Sequence, residues 1–344
     1  MQRDPLSLDE LRQALQYIPA DYRETWVSIG NACKTEYGGD GFAIWDEWSQ
    51  QAASYKASDA KSVWRSLTPG HVHLGTIIKL ATDGGWKRER LEMSAEDRRR
   101  LKAEAEERRR LAAEKVEADQ AKLARMQQAV ACACQRVLEQ HLAPVGESPY
   151  LQRKLVGAYG VLFPKRAVVV SVDSQRERAD VWAGTDVKLF FDDLPKPRPD
   201  HLHFFHLQPG HVVVPLRDAS RNLWSLQTIN HLGTKLFPKF GRKAGCFHLI
   251  DPSPNEVPPI VAIAEGYATA ASVYEATGWP VAVAVDLGNM VKVAPLMRAM
   301  FSTSQLILCG DDDPESPDNP GRTKTAALAE ALGCAVAFPS LEAA

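Results

Sequence analysis

The last stretch of about eighty residues alternates between short apolar runs and longer segments with helical spacing. The apolar runs have the length of buried strands and lie at 261–264, 281–285, 306–309 and 335–338. The segments between them have helix-forming composition and lie at 267–277, 290–300 and 322–332. Gly278 and Gly333 stand where two of these helices should stop. Because strand and helix alternate, the pattern predicts a parallel sheet.

The first part of the chain predicts a set of short helices. Ser7 and Glu10 form a capping box, and apolar residues follow it at helical spacing. Further helices are expected at 22–35, 41–51, 57–67 and 74–82. Trp45 and Trp48 lie three residues apart on one helical face, a spacing more typical of a core than of a base-stacking platform.

Residues 94–140 are almost free of glycine and proline and are rich in charge. The arginine triplets at 98–100 and 108–110 alternate with glutamates, which favours a charge-paired helix. Its apolar stripe is sparse, so we expect a long spacer or a partner-facing helix. The arginines would then form a solvated face, with nucleic-acid contact as the alternative.

A hairpin and a basic stretch precede the predicted sheet. Residues 213–229 predict two strands around a polar turn at 218–222, and a second turn follows at 231–233. The next residues interleave lysine and arginine with phenylalanine, as in Lys235-Leu-Phe-Pro-Lys239-Phe-Gly-Arg242-Lys243. Such a mixture suits a single nucleic-acid strand. The alternative is a hairpin whose lysines extend over core aromatics.

Carboxylates follow two of the predicted strands directly. Glu265 comes after the run at 261–264, and Asp311, Asp312 and Asp313 follow the run at 306–309. The carboxyl ends of parallel strands form the rim where α/β sheets carry their chemistry. Carboxylate oxygens are ligands that Mg²⁺ prefers. Glu265, Asp311 and Asp313 therefore predict a divalent-metal site.

These residues resemble a known family. The string Glu265-Gly-Tyr-Ala-Thr-Ala, followed later by Asp-x-Asp, resembles the Toprim domain of bacterial primases, topoisomerases and some nucleases. Asp286-Leu-Gly-Asn289 and Asn319-Pro-Gly321 extend the resemblance to the primases of conjugative plasmids and satellite phages. The hairpin and basic stretch look like the small subdomain that precedes the Toprim sheet in primases.

The resemblance implies a set of roles. Glu265, Asp311 and Asp313 would hold Mg²⁺ or Mn²⁺ for nucleotidyl transfer, with Glu265 either a ligand or a general acid or base. Asp312 would be a flanking charge, and Asp286 and Asn289 auxiliary residues. The residues expected to bind nucleotide or template are Arg217, Lys235, Lys239, Arg242, Lys243, Arg322 and Lys324. For Arg322 and Lys324 a surface salt bridge is an equal alternative.

The N-terminal helices carry a second resemblance. Phe42-Ala-Ile-Trp45-Asp-Glu-Trp48, then Tyr55 and Trp64, and later Gly84-Gly-Trp86, resemble the helical domain called primase C-terminal type 2. Such domains usually follow a primase of the archaeo-eukaryotic class. Here the helices stand first, which puts their customary role in doubt.

Composition limits the remaining possibilities. The chain has 344 residues and a net charge of −2, which is unusual for a tight general DNA binder. It indicates instead a local basic cleft, transient binding or help from a partner. No segment is apolar enough to span a membrane, and six cysteines without a C-x-x-C pair suit reduced thiols in a bacterial cytoplasm. No zinc is expected, because the histidines at 201, 203, 206 and 211 alternate as strand or pocket residues do.

Together these observations predict a multidomain α and α/β protein. We expect an all-α domain at 1–90, a long charged helix at 91–142, an α+β primase subdomain at 143–257 and a Toprim α/β domain at 258–344. The predicted function is a DNA primase that makes RNA primers on single-stranded DNA from ribonucleoside triphosphates. A separate replicative helicase or initiator protein would supply the single strand, since the chain has no G-x-x-x-x-G-K-[ST] motif. The alternatives are a Toprim nuclease and a non-catalytic protein that binds single-stranded DNA or counters host defence.

Overall fold

The computed structural model describes residues 6–67, 70, 72–88, 95–251, 256–312 and 319–339. Asp313 lies outside these residues. The chain divides into two compact units, a helical unit at Met1–Ala121 and a mixed unit at Lys122–Ala344. Among the described helices, none has the length and apolar character needed to cross a membrane.

The helical unit contains the predicted short helices. They are α1 (Leu8–Leu15), α2 (Arg23–Tyr37), α3 (Gly41–Ser49), α4 (Ala57–Ser66) and α5 (Leu74–Asp83). The capping box is confirmed, because the Ser7 hydroxyl accepts from the Glu10 amide at 3.2 Å and the Glu10 carboxylate accepts from the Ser7 amide at 2.8 Å. These bonds pair backbone donors that the first turn would otherwise leave free.

Tryptophans fill the core of the helical unit. Trp45 is fully buried and Trp48 nearly so, which confirms the core interpretation of this pair. The Trp48 indole N–H donates to the Ile18 carbonyl at 2.8 Å, and that of Trp45 donates to the Trp26 carbonyl at 3.1 Å. Each buried indole thus has a partner for its polar atom.

The charged segment forms one long helix, α6 (Ala95–His141). Arg110 pairs with Glu107 and Glu114 at helical spacing, as the charge pattern predicts. The last turns differ from the expectation of a spacer, because the buried side chains there belong to the core of the mixed unit. These side chains are Met126, Val130, Ala133, Cys134 and Val137. This end of α6 covers one side of an antiparallel sheet and so contributes to folding.

The first half of the mixed unit is built from small antiparallel sheets. Strands β1 (Leu142–Ala143) and β2 (Phe163–Pro164) pair, and a second sheet has the order β4 (Arg178–Ala183), β3 (Val168–Asp173), β5 (Leu202–Leu207). Two short helices, α7 (Pro149–Lys154) and α8 (Asp186–Asp192), lie between these strands in sequence. The expected hairpin is confirmed as β6 (Val212–Arg217) and β7 (Leu223–Ile229), with β8 (Lys235–Leu236) added at the edge.

The second half of the mixed unit is the predicted α/β sheet. Its five strands lie in the order β13 (Ala335–Ala337), β12 (Gln305–Cys309), β10 (Ile260–Ala264), β11 (Val281–Val283) and β9 (His248–Ile250). The first four are parallel, whereas β9 pairs with β11 antiparallel, an edge strand that the sequence pattern did not predict. The helices are α9 (Tyr267–Thr277), α10 (Leu287–Met300) and α11 (Pro320–Leu332), and left-handed Gly278 and Gly333 end α9 and α11.

Candidate active site

Strand register brings two of the predicted acids to one edge of the sheet. Ala264, the last residue of β10, lies opposite Cys309 of β12 and Val283 of β11. Glu265 therefore emerges from the central position of the sheet, and Asp311 follows two residues after the neighbouring strand. Both side chains are half-buried. The third predicted acid, Asp313, lies outside the described residues.

Two glycines allow helix α11 to pack closely against the chain that carries Asp311. A Cβ on Gly321 would lie 2.6 Å from the Asp311 carbonyl oxygen, closer than real Cβ atoms come. A Cβ on Gly310 would lie 3.0 Å from the Thr325 side chain of α11 and 2.6 Å from the Phe338 ring. The backbone at Gly310 and Asp311 is thus packed closely against α11.

The Asp312 carboxylate binds two neighbouring side chains. Its carboxylate accepts from the Arg322 guanidinium at 2.9 Å and from the Asn319 amide, and the side chain is 15% exposed. Arg322 also lies over the Phe338 ring at 4.6 Å, and the Asn319 side chain caps α11. This network orders the loop between β12 and α11 around Asp312. Lys324, one turn into the helix, is exposed.

A lysine from strand β8 approaches the acidic edge. The Lys235 ammonium nitrogen lies 3.1 Å from where a Cβ on Gly266 would be, directly beside the turn that follows Glu265. A side chain at position 266 would displace this lysine. Because Gly266 has no side chain, the Lys235 ammonium can lie close to the backbone directly after Glu265.

Asp286 and Asn289 connect the sheet to the basic loop. Asp286 caps α10 through the Asn289 amide at 2.8 Å and pairs with the Lys243 ammonium at 3.0 Å. The buried Asn289 side chain donates to the Ala284 and Cys246 carbonyls, both at 2.8 Å, and accepts from the Gly245 amide at 2.9 Å. The two auxiliary residues thus fix the position of the loop that carries Lys243.

The basic stretch lies over aromatic rings. Arg242 lies 4.5 Å from the Trp224 ring centre, Lys243 lies 4.8 Å from Phe237, and Lys239 lies 5.6 Å from Phe240. Lys235 and Lys239 are exposed, whereas Arg242 and Lys243 are half-buried. This geometry suits both interpretations, a strand-binding surface and cations extended over aromatics.

Arg217 differs from the other predicted cations. Its guanidinium donates to the Arg221 carbonyl at 2.9 Å, within its own hairpin. Its backbone pairs with that of Phe247 in an isolated antiparallel bridge. Arg217 therefore braces the hairpin that leads into the basic stretch.

Tyr267 has a supporting role that the sequence did not reveal. Its buried hydroxyl donates to the Gly157 carbonyl at 2.9 Å and accepts from the Tyr159 amide at 2.6 Å. Glu275, also on α9, accepts from the Gly157 amide at 2.7 Å and from the Tyr159 hydroxyl at 2.9 Å. Burial raises the pKa of Tyr267, so its hydroxyl stays protonated. The helix that follows Glu265 is therefore anchored to residues 157–159.

The described acids suit a hard divalent cation by their chemistry. Glu265 and Asp311 offer carboxylate oxygens, which Mg²⁺ and Mn²⁺ accept as ligands. Burial raises the pKa of the nearby Cys309 thiol to about 11, so this residue is protonated and a poor metal ligand at neutral pH. Within the described part of the chain, no three acidic, histidine or cysteine side chains are grouped as a metal site.

Comparison with known families matches one segment near each end of the chain. Residues 11–81 match the family described as primase C terminal 2 (PriCT-2), and residues 260–336 match the Toprim domain family. The chain therefore has one segment similar to PriCT-2 domains and one similar to Toprim domains. The Toprim match includes the strands and helices that carry Glu265 and Asp311. Toprim primases generally use a divalent metal.

Two curated relatives share part of the chain with higher identity. Both are named DNA primase TraC from Escherichia coli and are 40% identical over 133 residues, which is 37% of this chain. This chain covers 12% of one relative and 9% of the other. The similarity is therefore to a segment of much longer proteins.

Several solved structures also match at low similarity. The catalytic domain of DnaG primase bound to single-stranded DNA has a TM-score of 0.34 and 15% identity, covering 65% of this chain and 75% of that one. A primase domain from Pseudomonas aeruginosa has a TM-score of 0.35 and 15% identity, covering 55% and 61%. The primase fragment of the bacteriophage T7 primase-helicase has a TM-score of 0.30 and 19% identity, covering 38% and 53%. TM-scores of this size do not establish a common overall fold.

Proposed function

We propose that this chain is a DNA primase that joins ribonucleotides on a single-stranded DNA template. The observation that carries the proposal is the carboxyl edge of the Toprim sheet, where Glu265 and Asp311 follow adjacent parallel strands and Lys235 approaches Gly266. Acids that can hold a metal, next to a cation that can meet phosphate, are what nucleotidyl transfer requires. Similarity to segments of the TraC primases supports the same activity.

Glu265, Asp311 and Asp313 would hold Mg²⁺ or Mn²⁺. The cation would orient the triphosphate and neutralise the charge that develops on the leaving pyrophosphate. Glu265 serves either as a ligand or as the group that takes the proton of the attacking hydroxyl. Asp312, occupied by Arg322 and Asn319, keeps the loop in place and stays outside the ligand set.

The basic residues would bind template and incoming nucleotide. Lys235 lies beside Gly266 and Lys243 pairs with Asp286, and in this proposal both ammonium groups meet phosphates. Lys239 and Arg242, each over an aromatic ring, offer charge to the backbone and aromatic faces to bases. Because the net charge of the chain is −2, this local surface supplies the attraction for DNA. Arg322 and Lys324 at the start of α11 are a second phosphate-binding pair in this proposal.

The proposed partners follow from this reaction. Ribonucleoside triphosphates and single-stranded DNA are the substrates, and a separate helicase or initiator protein in a bacterial cytoplasm supplies the strand. The segments 1–90, 91–142, 143–257 and 258–344 remain our proposed domains.

The test is incorporation of labelled ribonucleotides on single-stranded templates with Mg²⁺ or Mn²⁺. We expect short oligoribonucleotides from the wild type and a loss of at least about 100-fold in Asp311→Asn and in Glu265→Gln, because each removes a charge from the proposed metal site. Glu330→Gln is the matched control, since it removes the same charge from the exposed far end of α11. It should retain wild-type activity.

The same assay separates the alternatives. Template shortening that Asp311→Asn abolishes would assign the site to a nuclease. DNA binding without synthesis or cleavage, unchanged in both acid variants, would assign the chain to non-catalytic binding. Full primer synthesis by Asp311→Asn would contradict the proposed site.

A further inference from the structure

A concave site lies in the helical unit, far in sequence from the Toprim acids. It is a cavity of about 330 Å³ formed by the start of α2, the segment that joins α3 to α4, and one face of α4. Small-molecule pockets in proteins occupy roughly 300–1,000 Å³, so this cavity is at the lower end of the range. Its size suits one nucleotide unit better than a large ligand.

Two aromatic side chains line this cavity, and hydrogen bonds and ring packing fix their positions. The Trp26 indole N–H donates to the buried Ser49 hydroxyl at 2.7 Å, and its ring packs on Trp45 with centres 4.7 Å apart. The Tyr55 hydroxyl donates to the Asp46 carboxylate at 3.0 Å. Both rings are half-buried, so each is rigid yet still contributes surface to the cavity. Fixed aromatic faces are the platforms on which bases stack.

Charged residues of both signs surround the aromatic rings. Arg23 and Lys56 line the cavity from two different segments and are exposed, and neither forms an ion pair with any residue that the structure describes. Asp21 and Asp59 line it as well. Unpaired cations attract phosphate, whereas carboxylates repel phosphate and accept hydrogen bonds from amino groups.

We propose that this cavity binds one nucleotide unit of single-stranded DNA. The base stacks on Trp26 and Tyr55, and the flanking phosphates meet Arg23 and Lys56. Asp21 or Asp59 accepts from an exocyclic amino group, which favours cytosine over thymine because thymine has none. This gives the helical unit a DNA-binding activity of its own, beyond the polymerising site proposed above.

The test uses photo-crosslinking of the full chain with a labelled hexanucleotide. The probe carries one 5-iodocytosine, and the crosslinked peptides are mapped by mass spectrometry across a series of probe concentrations. We expect crosslinks at Trp26 or Tyr55. The double variant Arg23→Ala/Lys56→Ala should raise the probe concentration at half-maximal crosslinking roughly tenfold, because each cation contributes about half a decade of affinity for phosphate. A probe with 5-iodouracil should need a higher concentration for the same yield.

Lys61→Ala is the control, because it removes an exposed lysine from α4 that does not line the cavity. It should leave the half-maximal concentration unchanged, and circular dichroism should show that all variants fold. Crosslinks confined to the mixed unit, or at Trp26 but insensitive to Arg23 and Lys56, would overturn the proposal. Competition by an acidic or basic peptide but not by unlabelled DNA would assign the cavity to a protein partner instead. Since primer synthesis is measured separately with Asp311→Asn, failure of one proposal leaves the other testable.

Discussion

Tyr267 shows how one residue of a motif can serve the site without reaching it. It follows Glu265 and Gly266 directly, yet its hydroxyl points to residues 157–159 and its ring is fully buried. Because one atom both donates and accepts there, two backbone groups depend on it. Removing the hydroxyl should therefore reduce stability near Glu265.

We expect Tyr267→Phe to lower the free energy of unfolding by about 1–3 kcal/mol, because the Gly157 carbonyl and the Tyr159 amide lose their partner. Urea denaturation measures the change. Tyr159→Phe is the control, since it removes a hydroxyl whose bond to Glu275 is solvent-exposed, and it should cost less than about 1 kcal/mol. If the two variants lose equal free energy of unfolding, burial of the Tyr267 hydrogen bonds does not increase their contribution to stability.

At the scale of elements, two helices that pack on the Toprim sheet have glycine as their second residue. Gly288 is the second residue of α10 and Gly321 the second residue of α11. A Cβ on Gly288 would come no closer than 3.4 Å to any atom, here the Asp286 carboxylate, which is an ordinary contact. A Cβ on Gly321 would collide with the Asp311 carbonyl oxygen. The same substitution therefore has opposite consequences in the two helices.

Gly288→Ala should leave the free energy of unfolding unchanged or raise it by up to about 1 kcal/mol, because alanine restricts the unfolded chain and favours helix. Gly321→Ala should lower it by about 1–3 kcal/mol, since the first turn of α11 must move away from Asp311. Thermal unfolding measures both. Primer synthesis should fall in Gly321→Ala alone. A Gly321→Ala variant as stable and active as Gly288→Ala would refute close packing of α11 on Asp311.

The periodicity of the sequence was sufficient to predict these helices and strands, but not the interactions between them. The alternation of apolar runs and helical segments predicted β10 to β13 and α9 to α11 within a few residues. The runs in β10 and β11 are buried on both faces, whereas β13 at the sheet edge is half-buried to exposed. Strand β9 was missed because three residues carry no periodicity, and it joins the sheet antiparallel. The role of Tyr267 was missed because its partner Tyr159 is 108 residues away in sequence. Long-range hydrogen bonds leave no local pattern.

On the scale of the whole molecule, the two units differ in their buried ionisable groups. In the mixed unit, burial lowers the pKa of His141, His203, His206, His211 and His248 below the usual 6.5. His248 is 6% exposed, and the positive charge of Arg217 lowers its pKa further. In the helical unit, partial burial acts to raise the pKa of Glu10. The hydrogen bonds from Arg88 and Ser7 to its carboxylate outweigh this effect, so the pKa of Glu10 is lowered. Because its pKa is lowered, the Glu10 carboxylate stays ionised throughout the range in which histidines titrate.

The mixed unit should therefore lose stability as the pH falls from about 7 to 5. The unfolded chain binds protons on its histidines below about pH 6.5, whereas the folded chain, with lowered pKa values, does not. Stability is thus fully present above pH 6.5 and falls with decreasing pH. His248 alone contributes up to about 1.4 kcal/mol per pH unit in this window. Hydrogen exchange of β7 and β10 amides, corrected for the intrinsic rate, should show this loss, whereas α3 and α5 amides of the helical unit should show a smaller one. His248→Gln should flatten the pH dependence in the mixed unit whatever its effect on stability at pH 7.5. An unchanged slope in that variant would mean that His248 is not the group that titrates.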